Sequence, residues 1–411
     1  MLARVIICTL TIVASIAAAE SAVKCTNPAN ANDLLKCIQE NHPEVVSVEK
    51  INEVSNKIAD QGRAWKNPVI SFESLGGSNL GSSVFDSELR LSQAIELTGQ
   101  RSARSKRGKA LGEAFKADGL GKIEEITLTG VKSLFRLSQL KEEVIKIEES
   151  ISKFKFIKNQ YQARPRLNPE QEATLGIIQM AISEFEFRLN QANTERNELL
   201  TELITFSKLS KTDIQANLPK LIKKWPELPN SSEDLKSSLI LKSKANVDLA
   251  KSELEVAKAE AWPEFTVDLI AQNKIDGSLQ YQMFGAGISL PLPIFQTNQG
   301  EKSLKAVEFS KAQNIHQANL KKQEALLEIL SNTYKTSVSN LNNTPSDESI
   351  EKKHKNAEKL FSQGMISGPL IVETHKQIIE YTQIRNQEEL KAIEALWTLY
   401  ILQGTFLDQK I

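Results

Sequence analysis

The sequence predicts a mainly helical protein with a small β part, organised as two internal repeats that each combine a β-hairpin with long antiparallel helices. Three observations support this fold class. Apolar and charged side chains alternate at period two over residues 85–97, which indicates a strand. A helix-prone run without proline follows over residues 101–162. The same order of strand and long helix recurs about 200 residues later.

The internal repeat depends on residues that match at nearly one spacing. Segment 93–97 aligns with segment 290–294. Three further pairs are separated by 200 positions: Tyr161 and Phe361, Pro169 and Pro369, and Phe206 and Phe406. The expected boundaries are 1–19 for a signal peptide, 20–66 for an N-terminal segment and helix, 67–208 for the first repeat, 209–231 for a connector and 232–411 for the second repeat.

The N-terminus has the pattern of a secretory signal peptide. Arg4 precedes an apolar run over residues 5–18, and Ala17-Ala18-Ala19 provides a cleavage site of the A-x-A type. The alternative is an uncleaved anchor helix, but the run is shorter than the ~20 apolar residues that a membrane span needs. The sequence therefore favours an exported mature chain.

Cys25 and Cys37 are the cysteines that remain after this cleavage. An exported chain meets an oxidising compartment, so these two residues form the candidate disulfide. The alternative fate of Cys25 is a lipid anchor, and Lys24 immediately before it argues against that.

Composition excludes several classes of function. The 51 basic and 51 acidic residues balance, which gives no electrostatic case for nucleic-acid binding. The sequence offers no nucleophile–base arrangement, no phosphate-binding glycine loop and no metal-ligand spacing, so we expect no catalytic residue, no cofactor and no metal site. The four histidines stand apart in the sequence and are interpreted as surface or packing residues: His42, His316, His354 and His375.

Capping residues and helix-breaking residues predict where the helices begin and end. Asn168 and Pro169 fit the N-cap and first helical positions of a helix that ends near residue 208. Several glycines between 108 and 130 weaken the first part of the 101–162 helix, where a bend would fit. The other expected helices cover 32–64 with a break at 41–43, 232–261 capped by Ser231 or Ser232, 299–341, a run from 348, and 369–406.

Four amphipathic strands are expected in two hairpins, at 69–75 with 85–97 and at 265–271 with 281–290, joined by a loop at 76–83 and an Asp276-Gly277 turn. After residue 20 no apolar run is long enough for a membrane helix, so any membrane insertion would be through these strands. Even the smallest membrane barrels use about eight strands, and three chains would supply twelve.

The two faces of these strands predict two environments. The apolar side chains expected to face lipid are Leu89, Leu91, Ile95, Phe284, Ala286, Ile288 and Leu290. The polar side chains expected to face a watery lumen are Asp86, Glu88, Arg90 and Asp268. The alternative is a soluble sheet packed on the helices, which is disfavoured because a strand that continues into a very long helix is hard to fold back compactly.

Four motifs carry a resemblance to a known family. They are SQAIELTGQRSAR at 92–104, WPEF at 262–265, ISLPLPIFQTNQG at 288–300 and FSQGMISGPLIVETHKQIIE at 361–380. With these residues the chain resembles the TolC-type outer-membrane efflux proteins, and within them the branch of heavy-metal efflux outer-membrane components. The resemblance implies a homotrimer in the outer membrane of a Gram-negative bacterium, with a twelve-stranded transmembrane β-barrel continuous with a periplasmic α-barrel.

The resemblance also implies partners and a function. Such a protein is the exit duct of a tripartite efflux system, fed by a periplasmic adaptor protein and an inner-membrane pump of the resistance-nodulation-division type. The branch suggests metal cations as cargo. The alternatives are a duct for drugs or other small molecules, a soluble periplasmic coiled-coil scaffold, and an exported enzyme, which the missing catalytic residues disfavour.

In this family the periplasmic helix tips meet the adaptor, and the tips fall here near 161–169 and 361–369. The candidate tip residues are Arg164, Arg166, Gly364 and Ser367. The alternative reading is that the glycine and serine form turns and that the arginines are solvated charges. Arg164-Pro165 departs from the glycine turn that the family usually has, so the first tip is expected to differ in shape.

Overall fold

A computed structural model describes residues 25–79, 82–96, 99–229, 235–262 and 264–411. The expected signal peptide at 1–19 lies outside the described residues. So do residues 80–81 of the expected hairpin loop and residues 230–234, which hold the end of the expected connector, the start of the expected second repeat and the expected caps Ser231 and Ser232.

The described chain is mainly helical with one small sheet. The helices are α1 Ala31–Asn41, α2 Pro43–Arg63, α3 Gln100–Gln162, α4 Pro169–Ser207, α5 Lys211–Ala216, α6 Ser238–Ala259, α7 Gln299–Asn343, α8 Asp347–Ser362 and α9 Gly368–Gln403. The strands are β1 Val69–Asn79, β2 Ser82–Ile95, β3 Phe265–Asp276 and β4 Leu279–Ser289, and a 3-10 turn covers Phe406–Asp408. The 63 residues of α3 span roughly 95 Å at ~1.5 Å per residue.

The four strands form one antiparallel sheet in the order β1-β2-β3-β4, so the two hairpins meet through β2 and β3. The expectation of a loop from residue 76 is wrong, because β1 continues to Asn79. Gly76 pairs with Phe85 and Ser78 with Ser83. Ladder hydrogen bonds use only backbone groups, so glycine and serine extend the hairpin beyond the amphipathic pattern.

Two expected N-termini of helices had different outcomes. Asn168 caps α4 as predicted, in a capping box with Gln171. The expected start of α6 at Ser232 lies outside the described residues, but the expectation of helix over 235–237 is wrong, since α6 begins at Ser238. The reason is a distant acceptor: the backbone N–H of Ser238 donates to Glu124 Oε1 of α3 at 2.8 Å, and the serine hydroxyl donates to the other carboxylate oxygen.

The last helix is shorter than expected and the connector is more ordered. Helix α9 ends at Gln403, because Gly404 adopts a left-handed conformation with φ 71°, and Phe406 lies in the following 3-10 turn. The expected connector contains the short helix α5, which Ser210 caps by accepting from the N–H of Asp213 at 3.1 Å.

Gly108 and Gly112 of α3 serve close packing against α2, and α3 runs through its glycines as a single helix. A Cβ atom added at Gly108 would lie 2.8 Å from the backbone oxygen of Ile58, and one at Gly112 would lie 3.0 Å from that of Ser55. Small residues at these positions let the two helix backbones approach closely.

The helical part contains two main buried clusters along α3. One lies where α1, α3, α4 and α9 meet and includes Leu34, Leu134, Phe135, Leu200 and Trp397. The other lies nearer the α3–α4 turn and includes Ile147, Phe154, Ile178, Phe185 and Ile371. Cys25 and Cys37 form a disulfide with Cα atoms 5.0 Å apart, which fastens the segment before α1 to the first cluster.

Candidate functional site

The polar face of the sheet joins its strands through side-chain hydrogen bonds. Gln272 on β3 donates from Nε2 to both carboxylate oxygens of Asp86 on β2, at 2.9 Å each. Ser92 donates from Oγ to Asp268 Oδ1 at 2.5 Å. The register places all the candidate polar residues on this one face: Asp86, Glu88, Arg90 and Asp268. The face is therefore charged and internally bonded.

Arg90 and Glu88 add an ion pair within β2. The guanidinium Nη2 of Arg90 lies 2.6 Å from Glu88 Oε1. Both side chains are partly exposed, so water still reaches the pair, which contributes little to the free energy of folding. Its significance is the local concentration of charge on the polar face.

The opposite face is apolar and exposed. The exposed fractions are 85% for Phe284, 77% for Ile288, 72% for Ile70 and 68% for Phe72. Of the residues expected on this face, Leu89, Leu91, Ala286 and Leu290 are also exposed, whereas Ile95 is partly buried at the end of β2 nearest the helices. A contiguous apolar surface of this kind indicates contact with something other than water.

The outer strands leave the sheet open on both sides. Among the described residues β1 pairs with β2 alone and β4 pairs with β3 alone. An unpaired edge presents a row of backbone donors and acceptors that can continue a sheet into another chain.

The junction between sheet and helices is held by charged and amide side chains. Arg104 on α3 forms an ion pair with Glu96, which directly follows β2. Gln100 at the start of α3 donates from Nε2 to the backbone oxygen of Trp262, just before β3, at 2.8 Å. These contacts fix the direction in which α3 leaves the sheet.

The far end of the molecule brings the two predicted tips together. The α3–α4 turn and the α8–α9 turn line one cleft of about 480 Å³, and Arg164, Gly364 and Ser367 all contribute to its wall. The guanidinium of Arg164 lies 4.9 Å from the ring centre of Tyr161. Arg166 is exposed and is not among the residues that line this cleft.

Gly364 also has a structural task. It adopts φ 72°, and its N–H donates to the oxygen of Phe361 while that of Met365 donates to Leu360, both at 2.9 Å. This pair of hydrogen bonds is the usual way in which a helix ends at a glycine in the left-handed conformation. The residue therefore terminates α8 whatever else it does.

The interpretation of the histidines as isolated is wrong for two of them. His354 on α8 and His375 on α9 place their Nε2 atoms 3.3 Å apart, with Glu358 beside them. The sequence carries a signal for this contact: His354 precedes Gly364 by ten positions and His375 follows Met365 by ten, so an antiparallel helix pair that turns there places the two histidines at the same height.

The other two histidines behave as packing residues. His42 accepts from the N–H of Glu44 at 3.3 Å and its ring lies 4.8 Å from that of Phe206. His316 shares a hydrogen bond with Ser243 at 2.8 Å.

The ring of His375 is uncharged near neutral pH. Burial, with the nearby His354 and Lys153, lowers the pKa of His375 to about 4.

Comparison with solved structures identifies the class of fold. The Campylobacter jejuni outer-membrane channel CmeC is similar with a TM-score of 0.72 at 14% identity, over 92% of this chain and 86% of that one. CusC, described as forming a transmembrane channel, gives 0.64 at 12% identity over 94% and 95%. VceC of Vibrio cholerae gives 0.69 at 12% identity over 92% and 96%. The chain has the fold of these outer-membrane channels.

Comparison by sequence points to one branch. The cobalt-zinc-cadmium resistance protein CzcC of Cupriavidus metallidurans is 27% identical over 231 residues, which are 55% of this chain and 54% of CzcC. The match thus spans about half the length of that relative. No protein-family model matches the sequence. This relative supports the resemblance to the heavy-metal branch of the TolC-type outer-membrane efflux proteins, and the solved structures, CusC among them, support the channel fold.

Within the described ranges, no helix combines the length and the apolar character needed to cross a bilayer.

Proposed function

We propose that this protein is the outer-membrane exit duct of a tripartite efflux system and that it conducts its cargo passively. The observation that carries the proposal is the sheet, which has one apolar, exposed face and one charged face. The chain then continues from β2 into the 63-residue helix α3, and side-chain contacts of Arg104 and Gln100 hold the junction. An apolar face suits lipid, a charged face suits a water-filled passage, and the long helices suit a tube beyond the membrane.

The proposed assembly is a homotrimer. Four strands do not close a membrane barrel, since the smallest use about eight, whereas three chains provide twelve. The open edges of β1 and β4 are where neighbouring subunits would pair. The likeness to outer-membrane channels supports this arrangement and an outer-membrane location with a large periplasmic part.

The proposed subunit is a tandem repeat. Residues 67–208 and 232–411 each supply a hairpin and a long helix pair, joined by a connector at 209–231. The helix tips around Arg164, Arg166, Gly364 and Ser367 would meet the periplasmic adaptor, and an inner-membrane pump of the resistance-nodulation-division type would supply the energy. The contact of both turns around one cleft supports a shared docking end.

The proposed cargo is metal cations. The named role of CzcC in cobalt, zinc and cadmium resistance supports this, and the charged face formed by Asp86, Glu88, Arg90 and Asp268 is compatible with passage of hydrated ions. Conduction of this kind requires no catalytic residue.

Two measurements test the proposal. The purified protein should require detergent and run as a heat-modifiable trimer, and a monodisperse species that never needs detergent would refute the channel. Deletion of the gene should increase sensitivity to divalent metals in a panel of metals and drugs. Unchanged tolerance to every metal would refute the metal cargo, and sensitivity to drugs alone would replace it with small-molecule export.

A further inference from the structure

We propose that His354, Glu358 and His375 form a binding site for one divalent transition-metal cation, of the zinc and cobalt class, on the α8–α9 hairpin. Glu358 follows His354 by four positions on α8, which puts both side chains on the same helix face, and His375 reaches them from α9. The potential ligand atoms of the three residues lie within 4.8 Å of one another.

The distance between the two histidine nitrogens matches that in a tetrahedral site, and the carboxylate oxygen lies slightly farther away. Two nitrogens each about 2.05 Å from a tetrahedral metal lie about 3.3 Å apart. The Nε2 atoms of His354 and His375 are 3.3 Å apart. Glu358 Oε1 lies 3.7 Å from Nε2 of His354 and 3.9 Å from that of His375, so a small rotation of this carboxylate completes the set.

Ser150 on α3 sets the tautomer of His375. The serine hydroxyl has one proton and donates it to the backbone oxygen of Lys146 at 2.8 Å. Ser150 Oγ therefore accepts from His375 Nδ1, at 2.9 Å. With the proton on Nδ1, the lone pair of His375 is on Nε2, the atom that faces His354 and Glu358. A bond from the second ring nitrogen is the usual outer support of a histidine ligand.

Glu358 is oriented in a similar way. Lys153 Nζ lies 3.2 Å from Glu358 Oε2, which leaves Oε1 directed at the two histidines. His375 is 2% exposed and so is held rigidly, whereas the side chain of His354 is 14% exposed and faces an open cleft of about 310 Å³. That cleft gives an ion a route in and leaves room for water as the fourth ligand.

Two imidazoles and one carboxylate favour zinc, cobalt, nickel or copper over magnesium or calcium, which prefer oxygen ligands. The site differs from the passage proposed for cargo, because it is built into one hairpin near the cleft between the helix tips, which His375 and Glu358 also line. It would bind metal whether or not the channel conducts metals, so its test is separate from the tolerance assay.

The experiment uses the full mature chain, untagged and purified in detergent under non-reducing conditions that keep Cys25 and Cys37 paired. The metal-free protein is titrated with Co²⁺ and followed by visible absorption, which is intense for a tetrahedral ion, and then with Zn²⁺ in competition. We expect one Co²⁺ per chain, displaced by Zn²⁺.

Four variants test the position of the ion. His354→Gln and Glu358→Gln should each weaken binding at least about tenfold, because even outer supporting partners of metal ligands cost 10–100-fold. His316→Gln, a histidine on α7 outside this cluster, is the matched control and should bind as the wild type does. Ser150→Ala should lose about tenfold in affinity, since His375 is then free to change tautomer.

Variants are compared only where their oligomeric state and circular dichroism match those of the wild type. A wild-type protein that takes up neither Co²⁺ nor Zn²⁺ at micromolar concentration would overturn the site. So would equal affinity of the wild type, His354→Gln and Glu358→Gln, which would leave the two histidines as a packing contact. Unchanged affinity in Ser150→Ala would overturn the tautomer assignment.

Discussion

The exposure of phenylalanine side chains differs between the sheet and the helical body. Phe135, in the middle of α3, is 2% exposed and lies in the cluster shared by α1, α3, α4 and α9. Phe284, in the middle of β4, is 85% exposed. The helical body buries apolar residues of this kind in clusters within one chain, although some, such as Phe187 on α4 at 74%, are exposed. None of the described apolar side chains of the sheet is buried, so the sheet is the part of the molecule that has no apolar core of its own.

Polar groups show the same contrast. In the helical body Arg136 binds Glu143 and Glu195 at 2.7 Å each, and the side chain of Glu143 is 2% exposed. Burial opposes the charge of Arg136, but these hydrogen bonds outweigh it and raise the pKa of the guanidinium above its usual value. On the sheet, polar groups bond across strands, and Asp86, Glu88 and Arg90 stay partly exposed although Asp268 is only 8% exposed. Charge is enclosed by packed helices in one region and lies mostly on an open face in the other.

The largest expected effect is from truncation in the helical body. Phe135→Ala should cost about 3–5 kcal/mol in the free energy of unfolding, because it leaves a cavity that packed helices cannot fill. Phe284→Ala should cost much less in lipid, since acyl chains fill the space. Thermal unfolding of lipid-reconstituted protein measures both. Equal losses would break the contrast between the two regions.

Charge on the sheet should have the next largest effect. Phe284→Arg should lower the stability of the inserted protein by about 2–4 kcal/mol and reduce the yield of outer-membrane trimer, because the arginine would face hydrocarbon. Met283→Arg is the control: Met283 is the neighbouring residue on the same strand, and it pairs with Gln272 on the polar face. Similar trimer yields for the two variants would show that the faces do not differ in environment.

A smaller effect is expected where α2 meets α3. Gly108→Ala should destabilise by about 1–3 kcal/mol, because the added methyl would overlap a backbone oxygen that has no freedom to move. Gly176→Ala on α4 is the control: no neighbouring atom lies within 4 Å of its added Cβ, and the change should stabilise by about 0.5–1 kcal/mol. Loss of stability in both variants would show that the replacement of a helical glycine, and not the contact between α2 and α3, causes the loss.

The smallest effect concerns pH. Burial raises the pKa of Glu124, and hydrogen bonds from Ser238 offset this only in part. A carboxyl whose folded pKa is raised contributes most stability below its unfolded pKa and loses that contribution as pH rises through the folded value. The unfolding temperature of the wild type should therefore fall relative to Glu124→Gln between about pH 4.5 and pH 7. A constant difference across this range would exclude a raised pKa.

Local chemistry made part of this fold predictable. Asn168 and Pro169 are sufficient to mark the start of α4, since a capping box involves neighbours in sequence. The alternation over 85–97 was sufficient to assign the two faces of β2, because the period of a strand is fixed by its backbone.

Distant partners made the rest unpredictable. The start of α6 depends on Glu124, which is 114 positions from Ser238. The extension of β1 to Asn79 depends on backbone pairing that leaves no mark in the side chains. The contact of His354 with His375 depends on where one turn falls, and the shared cleft of Arg164 and Gly364 depends on two hairpins meeting.

The two environments of the sheet are tested most directly by spin labels on neighbouring residues of β4. In a chain without residues 1–19, Cys25 and Cys37 are paired, so Phe284→Cys or Met283→Cys provides a single reactive thiol. In reconstituted protein, a label at position 284 should collide with oxygen dissolved in lipid, and one at position 283 with a water-soluble chromium chelate. Equal access of the chelate to both labels, or shielding of position 284 from both reagents, would contradict a sheet with lipid on one face and water on the other.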